Sequence, residues 1–271
     1  MSGAKATEVK DDLADFERTS FSANGATRTI FRKGTGPAVI VIAEIPGITP
    51  KVAGFARKVV DQGLTAVMPH LFGEPGRPPS AGYALTSIAP ACVSREFAVW
   101  ATNKTSPVTE WLRALARDEH ARCGAPGVGA VGMCFTGGFA LAMMVDDSVM
   151  APVLSQPSLP FPITKNHKRD LNLSPADLAR VKQRAVDDGV CVLGLRFTGD
   201  RAAPAERFQR LRDELGDAFI GVEIDSSPGN PWGHPKTAHS VLTEHLIDEP
   251  GQPTRDALDQ VLTFFRERLK G

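Results

Sequence analysis

Six short apolar runs with amphipathic stretches between them restrict this chain more than any other feature. They lie at residues 39–43 (Val-Ile-Val-Ile-Ala), 64–68, 128–132, 151–154, 190–197 and 219–224. Most are continuous rather than alternating, as strands covered on both faces should be. Helical patterns occupy 51–62, 108–122, 138–144, 175–188 and 203–215. Strand alternating with helix predicts an α/β fold, with a mostly parallel doubly wound sheet and helices on both faces. A last helix over 254–269 carries Ala257, Leu258, Val261, Leu262, Phe264, Phe265 and Leu269 on a helical period and should close the sheet. Phe16, Phe21, Thr29 and Phe31 around Asn24-Gly25 predict an edge hairpin within residues 1–36. The Pro-rich segments 72–90 and 155–162 read as long loops, of the kind that shape substrate sites.

With 271 residues, the chain can form one large domain spanning 1–271. Lysine plus arginine and aspartate plus glutamate are balanced at 31 each, so nothing draws it to nucleic acid or to an anionic membrane. Cys92, Cys123, Cys134 and Cys191 form no C-x-x-C pair, which suggests neither a zinc cluster nor a disulfide framework. The charged start of the chain lacks an apolar signal core, and no run of about 18 apolar residues occurs. A cytoplasmic protein, monomeric or homodimeric, with a small-molecule substrate and no cofactor or metal is the expectation, and a reducing compartment would keep Cys134 a thiol.

The run at 128–132 continues into Met-Cys134-Phe-Thr-Gly-Gly and then an apolar helical stretch. A nucleophile on a sharp strand-to-helix turn needs small neighbours, here Gly132 and Thr136, with Gly137 following. At such an elbow the Phe135 amide would face a developing oxyanion, and the helix N-terminus would favour a thiolate. The structural alternative is a buried cysteine acting as a small hydrophobe.

A thiol of ordinary pKa needs a base, and the base needs an orienting acid. Elbow nucleophiles are followed along the chain by acid and then histidine. Asp200 follows the 190–197 strand at a carboxyl edge of the sheet, where open α/β folds build their sites; capping the next helix is its alternative role. After the 219–224 strand come His234 and His239, either of which could be the base. His239 is preferred because apolar sequence resumes directly after it. His70, His120, His167 and His245 read as surface or structural, His70 with a possible place in the pocket wall, and Asp225 is a reserve acid.

These residues resemble the dienelactone hydrolases, an α/β-hydrolase branch with a Cys-Asp-His triad. The likeness runs from about Val39 to the last helix and rests on the Cys134 elbow, Glu44-Ile-Pro-Gly, Arg95-Glu-Phe, Thr-Gly-Asp200 and Ala-His239-Ser. It implies roles that periodicity does not supply. Glu44 would contact the resting thiol and take its proton when substrate arrives, which would protect the sulfur from oxidation. The amides of Ile45 and Phe135 would form the oxyanion hole, since Pro46 has no N–H. Arg95 would receive a substrate carboxylate on its guanidinium fork, unless it is an ordinary solvated arginine. Thr243 stands where well-known members carry a second arginine, and the long segment between Cys134 and Asp200 suggests an inserted loop and helix at 155–188. Both departures imply a remodelled pocket.

The resulting expectation is a carboxylic ester hydrolase that cleaves a carboxylate-bearing lactone or ester through a Cys134 acyl-thioester. The rivals are a broader carboxylesterase or thioesterase, and a non-catalytic scaffold that binds a small molecule.

Overall fold

The computed structural model describes residues 9–270. Residues 1–8 of the predicted N-terminal unit, and Gly271, lie outside it. A hairpin opens the described chain, β1 (Glu17–Ala23) and β2 (Ala26–Lys33), turning on Asn24 and Gly25, both at positive φ (51° and 77°). That pair of left-handed residues matches the right-handed strand twist, which is why Asn-Gly occupies such turns. Next come β3 (Ala38–Ile42), α1 (Pro50–Asp61), β4 (Thr65–Pro69), α2 (Ala81–Val93), α3 (Val108–Cys123), β5 (Val128–Met133) and α4 (Phe139–Met143). The chain continues through β6 (Val149–Ser155), α5 (Lys165–Arg169), α6 (Pro175–Asp187), β7 (Val192–Phe197), α7 (Ala205–Leu215), β8 (Phe219–Ile224) and α8 (Pro253–Lys270).

The eight strands form one sheet in the order β1-β2-β4-β3-β5-β6-β7-β8. The six strands from β4 to β8 are mutually parallel, and the hairpin joins antiparallel at β2–β4. The fold is an α/β-hydrolase sheet, and its two faces explain the unbroken apolar runs. Along β3, Ile40 and Ile42 enter a core under α3, α4 and α7, while Val39 and Val41 enter the opposite core under α1 and α8. Both sets are fully buried. No described helix is long and apolar enough to cross a membrane.

Two segments depart from the sequence reading. The stretch expected as a loop at 72–90 contains most of α2, which starts on a Ser80 cap whose hydroxyl accepts from the Tyr83 amide (3.2 Å) and carries Pro90 near its end. Clustered Pro and Gly concealed it, and Pro90, which lacks an N–H, interrupts the hydrogen bonding only in the last turn. After β6 the chain does run as a loop, then forms α5 and α6. Fully buried Arg207 on α7 stitches this loop down, donating to the carbonyls of Pro157 (2.6 Å), Pro160 (2.7 Å), His167 (2.8 Å) and Asp170 (2.8 Å).

Candidate active site

At the end of β5, Cys134 adopts φ 54°, a left-handed conformation that costs a non-glycine residue roughly 1–2 kcal/mol. Neighbouring bonds hold it there. The Cys134 carbonyl accepts from the amides of Gly137 (3.0 Å) and Ser158 (2.9 Å). The Thr136 hydroxyl accepts from the Met133 amide (3.0 Å) and donates to the Ile42 carbonyl (2.9 Å), tying the turn to the neighbouring strand. Gly132 is needed for the close approach, because a Cβ there would lie 2.1 Å from the Thr136 carbonyl oxygen. Cys134 itself occupies a single 3-10 turn, Cys134–Thr136, and α4 begins only at Phe139 and is five residues long. The helix-terminus contribution expected from the sequence is therefore a short one.

Cys134 is partly exposed, and the Ser158 hydroxyl points to its sulfur from 3.8 Å. His239 donates from Nδ1 to Asp200 Oδ2 at 2.6 Å, and the other Asp200 oxygen accepts from the Ala202 amide at 2.8 Å. Burial alone would push the His239 imidazole down. The charge of a Cys134 thiolate and its hydrogen bond, together with Asp200, outweigh that and raise it to about 11. Burial would likewise raise Asp200, but the His239 N–H, the imidazolium charge and the Ala202 and Ala203 amides hold it below the usual carboxylate range. Cys134, His239 and Asp200 thus meet at the carboxyl edge of the sheet, from β5, the loop after β8, and the end of β7.

Of the two histidines the sequence left open, Asp200 holds His239. His234 is buried with its ring edge-on to Phe197 (centroids 5.0 Å), its Nε2 has no hydrogen-bond partner among the described residues, and burial lowers its pKa. His245, also lowered by burial, accepts through Nδ1 from the amides of His239 (3.3 Å) and Ser240 (3.2 Å), so a neutral ring supports the base's own backbone. His70 bonds the Gly73 carbonyl (2.8 Å), and Asp225 accepts from the Ser227 amide (2.8 Å).

Glu44 is placed differently from its expected contact with the thiol. It is 4 % exposed, one oxygen accepting from the Ser240 hydroxyl (2.6 Å) and Gln156 Nε2 (3.3 Å), the other from the Thr243 hydroxyl. None of its hydrogen bonds goes to Cys134. Burial raises its pKa, and the Ser240 and Thr243 hydroxyls and the charge of His239 only partly offset this. Thr243 accordingly ties the histidine loop to Glu44. Gln156 (φ 37°) reinforces that tie by accepting from the Val241 amide (3.2 Å). Gln156, Ser158 and Ser240 were not singled out from the sequence, for their bonds span 24 to 196 residues and have no local signature.

Arg95 makes no hydrogen bond to this cluster. It is exposed on a one-turn helix, Arg95–Phe97, lines a cavity with Trp100 and Lys104, and makes no ion pair or side-chain hydrogen bond with any described residue. The amides of Ile45 and Phe135 take part in no loop or side-chain hydrogen bond among the described residues. The site therefore groups a thiol, an imidazole hydrogen-bonded to a carboxylate, and two amides without such a bond among the described residues.

Residues 26–269 match the sequence profile of the dienelactone hydrolase family. Nothing among curated proteins matches. Among solved structures, a dienelactone hydrolase-like promiscuous phosphotriesterase from metagenomic libraries is similar at TM-score 0.60 and 16% identity, covering 94% of this chain and 98% of that one. An alpha-beta serine hydrolase homologue from Coxiella burnetii is similar at TM-score 0.53 and 12% identity, covering 95% and 99%. The thioesterase domain of the curacin biosynthetic pathway follows at TM-score 0.53 and 10% identity, covering 92% and 99%. At such identities the likeness is one of fold.

Proposed function

This chain belongs to the dienelactone hydrolase family, and from that premise we propose that it hydrolyses carboxylic esters or lactones through an acyl-thioester on Cys134. The observation that carries the proposal is the 2.6 Å bond from His239 to Asp200, with Cys134 as the imidazole's other neighbour on a left-handed elbow.

In this scheme the Cys134 thiolate attacks the ester carbonyl carbon. The tetrahedral oxyanion is received by the Ile45 and Phe135 amides. As the intermediate collapses, the C–O bond to the alcohol breaks and the His239 imidazolium gives the departing alkoxide its proton. Neutral His239 then removes a proton from water, which attacks the thioester, and a second collapse returns the acid and the thiolate. Asp200 keeps the imidazole in the tautomer that presents Nε2 to the sulfur. His239 serves as the base, because the hydrogen bonds of Glu44 lead to Ser240, Gln156 and Thr243 and not to the sulfur.

Incubation with an activated ester should add the acyl mass to Cys134, read by peptide mass spectrometry, and Cys134→Ala should lose turnover. Full activity in Cys134→Ala sinks the proposal. The broader esterase or thioesterase reading is favoured over strict selection of carboxylated substrates by Thr243 being spent on Glu44. Strict selection would require Arg95→Ala to weaken an acidic ester selectively over its neutral analogue.

A further inference from the structure

A cavity of about 470 Å³ lies between α2 and the loop after β4, walled by Leu71, Phe72, Tyr83, Pro90, Ala91 and Phe97. Its size falls within the roughly 300–1,000 Å³ of ligand pockets. Two sets of contacts join its wall to the segments that carry Ile45 and Phe135. Phe72 and Phe97 set their rings edge-on against Phe135, at centroid distances of 5.9 and 5.4 Å. The wall also packs on the turn beside Ile45: a Cβ on Gly73 (φ 76°) would lie 1.9 Å from the Pro46 carbonyl oxygen, so the two backbones touch there. The same apolar cluster includes Cys134, Ile45 and Leu71 at its margin.

Charge at the rim is already spent. Arg77 lies over the Tyr83 ring (4.2 Å) and pairs with Glu74 (3.5 Å), which also takes Lys10 (2.5 Å). Among the described residues lining it, Arg77 is the one cation, and it is paired with Glu74. Arg95 opens instead onto the neighbouring cavity beside Trp100.

We propose that this cavity is the acyl subsite, and that the chain acts on esters or thioesters of uncharged apolar acids, aromatic or of medium chain length. This rests on the Cys134 acyl-thioester. The acyl group bonded to the sulfur would end between Phe72, Phe97 and Ala91, where each methylene removed from water contributes about 0.8 kcal/mol.

The test is the rate of Cys134 acylation, by mass, with p-nitrophenyl acetate, octanoate, benzoate and a hemisuccinate as the acidic arm. We expect octanoate and benzoate to exceed acetate by at least about tenfold, and the hemisuccinate to gain nothing over acetate. Ala91→Phe on the inner wall and Thr86→Trp at the rim should each bring the octanoate-to-acetate ratio back toward one. Equal rates for acetate and octanoate, or a preference unchanged in both folded variants, overturn the subsite while leaving the hydrolase reading intact. Absence of any adduct overturns both. Faster acylation of octanoate than benzoate assigns the chain-like acyl group, and the reverse assigns the aromatic one.

Discussion

Asp200 and Glu44 are two buried carboxylates on strand ends, one on either side of the same histidine loop, yet they are solvated by different things. Asp200 receives an imidazole N–H and backbone amides, and its acidity rises despite burial. Glu44 receives hydroxyls and a carboxamide, and burial prevails. The comparison teaches that depth does not decide the role of a carboxylate here. A cationic partner does. Asp200 is equipped to stabilise an imidazolium, whereas Glu44 is equipped to hold a loop.

The sharpest way to break that distinction is Asp200→Asn, which keeps the shape but deprives the imidazole of its charge partner. It should lower kcat by about 10³–10⁴-fold. The same change should destabilise the protein at neutral pH, with a penalty that fades on acidification. Since Asp200 is depressed, its stabilisation is in place above its unfolded value near 4 and disappears as pH falls through the lower folded value. His239, being raised, contributes fully below about 6.5 and loses that contribution as pH rises toward about 11. A pH series of thermal melts on both proteins reads these windows, and pH-independent penalties would undo the assignment.

Thr243→Val comes second, removing one hydroxyl donor from a buried carboxylate. Chemical denaturation should show a loss of about 1–3 kcal/mol. Wild-type stability would mean that this hydroxyl does not support Glu44.

Glu44→Gln should have the smallest effect and the opposite sign in its pH dependence. With its folded pKa raised, ionisable Glu44 costs stability above its unfolded value near 4.5, so the variant should gain on wild type as pH climbs from 4 to 8 and not at lower pH. Turnover should fall by less than about tenfold, whereas removal of a true proton acceptor costs about 10²–10⁴-fold. A loss of that larger size would return Glu44 to the role the family resemblance implies.

How much of this was legible in the sequence depends on the range over which each feature is encoded. The apolar runs located all six parallel strands within about two residues, because burial on two faces leaves a local mark. Asn24-Gly25 located the hairpin for the same reason. Asp200 could be selected from chain order, and His239 over His234 from the apolar sequence that resumes directly after it. The helix α2 was hidden by Pro90 and its Gly-Pro surroundings, and the acyl cavity along with it. Glu44 showed least of all: its partners lie 112 to 199 residues away, and no local pattern records that the Ser240 and Thr243 hydroxyls would occupy it.

Arg207 carries a consequence for how this molecule comes apart. One guanidinium fastens four peptide units of the segment that carries Ser158 and backs the Cys134 turn. That segment cannot fray by itself without abandoning a fully enclosed cation, so its opening is coupled to that of α7. Damage to this remote tether would disable the enzyme's chemistry while sparing every group that performs it.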